Sequence, residues 1–155
     1  MAPRQTVLPL AYRAFFLIIE PISALMGAFY AHFRQHEYLA MTTRVPPWQV
    51  PLDTSIVLSQ LANLYLLFAL NEALVLRSTG DLRVWKTVLF VLLVGDFGHL
   101  YSVSGMGWRV YWDVTSWNSM DWGNVGFVYL GATMRMAFLA GVGLGTPAAT
   151  TKKTA

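Results

Sequence analysis

The sequence contains no cysteine, which excludes disulfides, thiol catalysis and iron–sulfur ligation and leaves the redox compartment open. Charge is scarce as well. Asp, Glu, Lys and Arg make up 12% of the 155 residues, against roughly a quarter in an average soluble domain. There is no basic run, and a net charge of +3 argues against a nucleic-acid partner. No nicotinamide, flavin or phosphate-binding fingerprint is visible, so the expected chemistry needs no cofactor. An internal repeat is also missing, and the length fits one domain.

What the chain does have is apolar surface. Hydrophobic residues reach 55% and aromatics 14%, with six Trp whose amphipathic rings suit membrane interfaces. Four stretches match the roughly 20 residues of helix that cross a bilayer core. They run from about Tyr12 to Phe33, Thr54 to Leu76, Val84 to Ser102, and Trp122 to Leu144. The fold expected is therefore all-α: a polytopic membrane protein with four transmembrane helices in a bundle over residues 1–145, followed by a disordered tail, 146–155. Asp53 or Thr54 is placed to cap the second helix. The segment RVPPWQVP, with three prolines, predicts a stiff surface loop, and RSTGDLR a tight turn that makes the second and third helices antiparallel. From Gly105 to Asp121 the chain reads as a loop or short helix at the interface. The first apolar run is too long for a signal-peptide core and is interrupted by Glu20-Pro21.

Lys and Arg set the expected orientation. Arg4, Arg13, Arg77, Arg83, Lys86, Lys152 and Lys153 share one side, and Arg34, Arg44 and Arg109 lie on the other. Both termini are thus expected in the cytosol, with the endoplasmic reticulum as the membrane. The partners expected are the lipid bilayer and a lipophilic small molecule, with a homodimer also admissible.

Several polar residues fall inside the spans, where a charge costs on the order of 3 kcal/mol or more and so faces a partner or a cavity. Glu20, Asp96 and Arg135 lie well inside by helical rise, His99 sits one turn from Asp96, and Glu72 is about one turn from its helix end. Gln60, Asn63 and Asn71 share a face of the second helix; Asn124, Gly131 and Arg135 share a face of the fourth, with Asp121 behind them. Glu20, Ala24, Gly27 and Ala31 form a stripe of one carboxylate over small residues, which lets helices approach closely. Four polar faces turned inward predict a polar pocket in an apolar wall, the shape of a site for a lipophilic substrate. Each residue also has a structural reading. Arg135 with Asp96 or Glu20 can be an ion pair that fixes the bundle, Glu72 can snorkel or pair with Arg77, and Gln60 and Asn63 can glue helices together. Asp113 and Asp121 can cap helices, and His32 and His36 suit the interface. His99 with Asp96 is too sparse for a zinc site, so no metal is expected. Pro21 frees the Leu17 carbonyl, either for a ligand or for packing.

Across EPISALMGAFYAHF, SQLANLYLLFALNEALVLR, GDFGHLYS and YWDVTSWNSMDWGNVGFVYLGATMR the chain resembles a group of small fungal four-helix membrane proteins. Members of that group occur beside polyketide and terpenoid biosynthetic genes. The likeness runs from Leu8 to Leu144. A looser similarity is to the integral-membrane epoxide hydrolases or cyclases of polyene-pyrone pathways, which implies opening of a polyketide epoxide. A fainter one, to membrane terpene cyclases and sterol isomerases, implies acid-initiated chemistry on a terpenoid. The chemistry of the residues suggests that Asp96 or Glu20 protonates an epoxide oxygen. A second carboxylate, assisted by Asn63 or His99, would activate water or a hydroxyl, with Arg135 between them. Asn63, Gln60, Asn124, Tyr101, Trp117 and Asp121 are the expected substrate contacts. The alternatives are an isomerase or cyclase whose Trp-rich segment shields a carbocation, and a scaffold subunit without catalysis.

Overall fold

The structure is a computed structural model that describes residues 8–145. The expected tail at 146–155, with Lys152 and Lys153, lies outside the described residues, as does Arg4. All regular structure among the described residues is helical, without a strand.

Helix α1, Leu10–Phe33, is not uniform. It is α-helical to Ala14, widens to π geometry over Phe15–Ile19, and resumes at Glu20. Pro21 explains the widening, because it has no N–H for the carbonyl one turn earlier. That carbonyl, on Leu17, instead accepts a hydrogen bond from Arg77 Nη2 at 2.8 Å. It is therefore a packing device, and Arg77 is committed there rather than to Glu72.

Helix α2, Gln35–Thr43, has no counterpart among the expected elements. It is short, and it buries Tyr38 against the bundle. Its end is turned by Arg44 in the left-handed conformation (φ 62°), a common way to stop a helix. The three prolines of the following segment then keep residues 45–51 out of helix, as expected.

Helix α3, Leu52–Leu76, starts slightly before the expected caps and ends in a π turn, Asn71–Leu76. Helix α4, Leu82–Met106, is capped by Asp81, whose carboxylate accepts from the Arg83 N–H at 2.8 Å. Two 3-10 turns, Trp108–Tyr111 and Val114–Ser116, fill most of the next connection. Helix α5 covers residues 119–139 and is opened by a reciprocal cap. Asn118 Oδ1 accepts from the Asp121 N–H at 2.9 Å, and Asp121 Oδ2 accepts from the Asn118 N–H at 3.0 Å. It stops five residues short of Leu144, because Gly141 takes a positive φ of 82° and the Val142 N–H turns back to the Ala137 carbonyl.

Three helices, α1, α3 and α4, are long and apolar enough to cross a membrane. Helix α5 has a spanning length of about 31 Å at 1.5 Å per residue. Asp121, Asn124 and Arg135 keep it less apolar than the other three. Apolar side chains such as Ile22, Phe29, Phe90, Val94 and Phe97 point outward, which suits a lipid environment and not water.

The helices pack as two pairs, α1 with α3 and α4 with α5. At one end the pairs meet in an aromatic cluster of Tyr12, Phe15, Phe16, Trp85 and Phe138, joined by Leu76 and Leu89. Phe16, Trp85 and Phe138 are fully buried, with Trp85 stacked on Phe138 and Phe16 edge-on to both. Hydrogen bonds lock its rim: Tyr12 OH donates to the Val142 carbonyl and Trp85 Nε1 to the Thr79 carbonyl. Towards the other end the pairs separate, and a cavity opens between them.

Candidate functional site

Arg135 stands at the floor of that cavity. Helical side chains lean toward their own N-terminus, so its guanidinium folds back over Gly131. A Cβ there would lie 2.8 Å from Arg135 Nη1 and 3.2 Å from Glu20 Oε1, so only glycine leaves the room this arginine needs. Underneath, the guanidinium carbon sits 5.7 Å from the centre of the Phe16 ring, a cation–π contact that joins it to the aromatic cluster.

Three carboxylates converge on this one cation. Arg135 Nη2 donates to Glu20 Oε1 at 2.5 Å and to Glu72 Oε1 at 3.0 Å, and Nη1 donates to Asp96 Oδ2 at 2.8 Å. Each carboxylate comes from a different helix, α1, α3 and α4. Two of them are positioned by irregular backbone: Glu20 follows the π turn of α1, and Glu72 lies within that of α3. Such turns re-aim side chains and are frequent at functional sites. The Glu72 side chain is 1% exposed, whereas those of Glu20 and Asp96 keep 12% and 13%, and all three line the cavity. Glu20 Oε2, Glu72 Oε2 and Arg135 Nε are buried with no hydrogen-bond partner among the described residues.

The cavity has a volume of about 340 Å³. Between its ends the wall is apolar, with Ala24, Gly27, Phe68, Leu92 and Phe127. Beyond them comes a second polar group of Tyr38, Tyr65, His99 and Asn124, which also border a neighbouring cavity of about 230 Å³. Tyr38 OH and Tyr65 OH are 3.2 Å apart, and the small residue Gly27 lets the Tyr65 ring lie against α1. Burial raises the Tyr38 phenol above its ordinary range, which keeps it a neutral donor. His99 Nε2 is buried with no hydrogen-bond partner among the described residues. By helical rise, Tyr65 is about 10 Å from Glu72 along α3. The cavity thus has a carboxylate–arginine end and a phenol–imidazole–amide end.

The expected site residues divide clearly. Glu20, Asp96 and Arg135 come together, and His99 and Asn124 line the same cavity. His99 hydrogen-bonds none of the three carboxylates and belongs to the far polar group. Gln60 and Asn63 do not join the pocket; their side chains are exposed on the outer face of α3. Tyr101 is 79% exposed. Trp117 donates Nε1 to the Val110 carbonyl and packs with Val103 and Val125, away from the cavity. Asp121 is buried, but it serves the helix cap and accepts from Arg44 Nη2 at 2.8 Å. Glu72 is the residue that sequence reasoning set aside. Its place near a helix end suggested snorkelling, yet it has the same phase as Ala62, Ala69 and Leu76, which are all buried. That phase was the signal that could have found it. Among the described residues no group of three or more metal-ligating side chains is arranged to hold a metal ion.

The chain belongs to the family described as a domain of unknown function, DUF7704, whose model matches residues 5–145. No curated protein and no solved structure matches it.

Proposed function

We propose, from the chemistry of this family member's own site, a membrane-embedded enzyme that opens an epoxide on a lipophilic substrate by carboxyl acid–base catalysis. The observation that carries this reading is three carboxyl groups on one guanidinium at the floor of an apolar cavity. A structural ion pair needs one carboxylate for its arginine. Two further carboxyls, with buried oxygens left unpaired at about 1–3 kcal/mol each, are expensive as scaffolding and useful as chemistry. With one cation among three, carboxyl groups of the set can hold a proton while others stay ionised, which supplies acid and base without a metal or a covalent intermediate.

The roles follow from exposure. Glu20 and Asp96 face the substrate: one protonates the epoxide oxygen as the C–O bond breaks, and the other takes a proton from the attacking water or substrate hydroxyl. Arg135 holds the two apart in opposite protonation states. Glu72, the most buried of the three, tunes the charge of the set through its bond to Arg135. Tyr38, Tyr65, His99 and Asn124 grip an oxygen function of the substrate at the far end, so an elongated molecule with polar groups about 10 Å apart fits best. The protein crosses the membrane four times in this reading, with α5 as the fourth span shielded by its neighbours. Arg13, Arg77, Arg83 and Lys86, near the aromatic end, support a cytosolic position for that end, and the membrane proposed is the endoplasmic reticulum.

A second reading, an acid-initiated isomerase or terpene cyclase, is favoured by the rings on the cavity wall. These are Tyr30, Tyr65, Phe68 and Phe127 rather than the Trp-rich connection, whose Trp108 and Trp112 are exposed. The two readings separate on product. Protein in lipid vesicles, given a long-chain epoxide in heavy-oxygen water, should release a diol carrying one labelled oxygen, or an unlabelled cyclic ether when the substrate bears an internal hydroxyl. Rearranged alkene products with no ring opening would favour the isomerase. Absence of turnover on epoxides and polyenes alike, with the Asp96 and Arg135 substitutions affecting only stability, would leave the scaffold reading.

A further inference from the structure

We infer that two copies of the chain pair side by side in the membrane through the outward face of α3, with Gln60 and Asn63 of one copy hydrogen-bonded to those of the other. The face is defined by Ile56, Gln60, Asn63, Leu67, Leu70 and Leu74, all exposed. Their spacing alternates four and three residues, the seam by which two parallel helices interlock knobs into holes. The outward stripes of α1 and α4 share this spacing but not this chemistry. On α1 the corresponding residues are Ile18, Ile22, Leu25 and Phe29, and on α4 they are Phe90, Val94 and Phe97. Those stripes are apolar, as lipid-facing surface should be; the α3 stripe carries two adjacent amides.

The amides are too deep for the headgroups. Asn63 lies about 16 Å from the Leu52 end of α3 and about 20 Å from the Leu76 end. Neither Gln60 nor Asn63 makes a hydrogen bond among the described residues. Asn71, also on α3, shows how an amide satisfies itself within its own helix: its Nδ2 donates to the Leu67 carbonyl at 2.9 Å. Gln60 and Asn63 do not do this, so their donors and acceptors stay available at a depth where lipid offers none. Amides facing lipid associate helices, because each carries both donor and acceptor and can pair with an identical group. A second copy suits this face better than an unrelated partner. Copies inserted in the same orientation place α3 parallel to α3, and a two-fold axis along the membrane normal sets Gln60 and Asn63 opposite themselves. Two adjacent polar layers within an apolar seam also fix the register of the pair. The cavity opens on the opposite side of α3, lined by Tyr65, Phe68 and Glu72, and stays free in the pair.

The absence of cysteine makes the test clean. Single cysteines are introduced by Leu67→Cys and Leu74→Cys on the seam, and by Leu25→Cys and Phe97→Cys on the α1 and α4 stripes. Each variant is oxidised in vesicles at a low protein-to-lipid ratio and counted on a non-reducing gel. The seam positions should give at least tenfold more disulfide-linked dimer than the controls. Adding Gln60→Leu and Asn63→Leu to Leu67→Cys should bring cross-linking down to the control level. Equal cross-linking at seam and control positions, absence of dimer at both seam positions, or cross-linking that survives loss of both amides would each overturn the inference. The amide substitutions place leucine on a surface already rich in leucine, so folding is retained; an unchanged thermal transition checks it.

Discussion

The two ends of the bundle use the same four helices for opposite purposes. At one end Tyr12, Phe15, Phe16, Trp85 and Phe138 close the gap between the helix pairs with rings. At the other the pairs stand apart, and Tyr38, Tyr65, His99 and Asn124 line an open cavity. Arg135 sits at the boundary, its guanidinium over Phe16 and its nitrogens among Glu20, Glu72 and Asp96. Because the aromatic end is sealed, the carboxyl groups communicate only with the cavity. A charged cluster is tolerable in such a place when its neighbours supply the counter-charge and a plug excludes bulk water. The closed end therefore supplies packing, and the open end supplies the cavity that the proposed reading gives to the substrate.

Substitutions at the boundary and at the sealed end should do the most damage. Arg135→Leu leaves three buried carboxylates without a cation and should cost about 3–5 kcal/mol. Calorimetry in detergent would show it, and adding Glu72→Gln to the same chain should recover part of the loss. Phe138→Ala, at the sealed end, should cost about 3–5 kcal/mol through the cavity it creates. Phe68→Ala, on the cavity wall and 38% exposed, should cost clearly less while altering ligand size preference. A reversed order would contradict the division of labour between the ends.

Gly131→Ala forces a Cβ against a guanidinium pinned by three carboxylates. It should cost about 1–3 kcal/mol and reduce turnover, both measurable in one purified sample. Gly98→Ala is the control: nothing lies within 4 Å of its added Cβ, and it should be neutral or stabilise by about 0.5–1 kcal/mol. Tyr65→Phe removes one hydroxyl from the open end and should change stability by about 1 kcal/mol, with the larger effect on substrate KM. The smallest effect is outside the membrane. Hydrogen bonds from Arg34 hold the Glu37 carboxyl below its ordinary range. Its contribution is therefore present at neutral pH and lost as pH falls through that lowered value. The pair is exposed and screened, so Glu37→Gln should leave the melting curve at neutral pH unchanged within error.

Three of the four expected spans were legible because twenty-residue apolar runs leave few alternatives. Arg135, Glu20 and Asp96 were legible for the same reason, since an ion in such a run must find a partner. What escaped depends on information that periodicity does not hold. Glu72 was discounted for its distance from the helix end, although its phase with Ala69 and Leu76 places it inside. The face of Gln60 and Asn63 was identified correctly as a face but turned the wrong way, because polarity alone cannot tell a pocket from an outer seam. Trp117 and Asp121 looked like ligand contacts and are committed to the Val110 carbonyl and to a helix cap. Helix α2 was hidden by the proline segment that follows it.

Turnover of a long-chain epoxide by Glu20→Gln and Asp96→Asn, set beside their melting temperatures in the same lipid, tests the acid–base role of the cluster most directly. Each substitution keeps the size and the hydrogen-bonding reach of the side chain while removing its proton chemistry. The account predicts at least a hundredfold fall in turnover for both, with melting transitions close to that of the parent chain. Full turnover in both variants would contradict it, and so would a loss of activity that only follows a loss of folded protein.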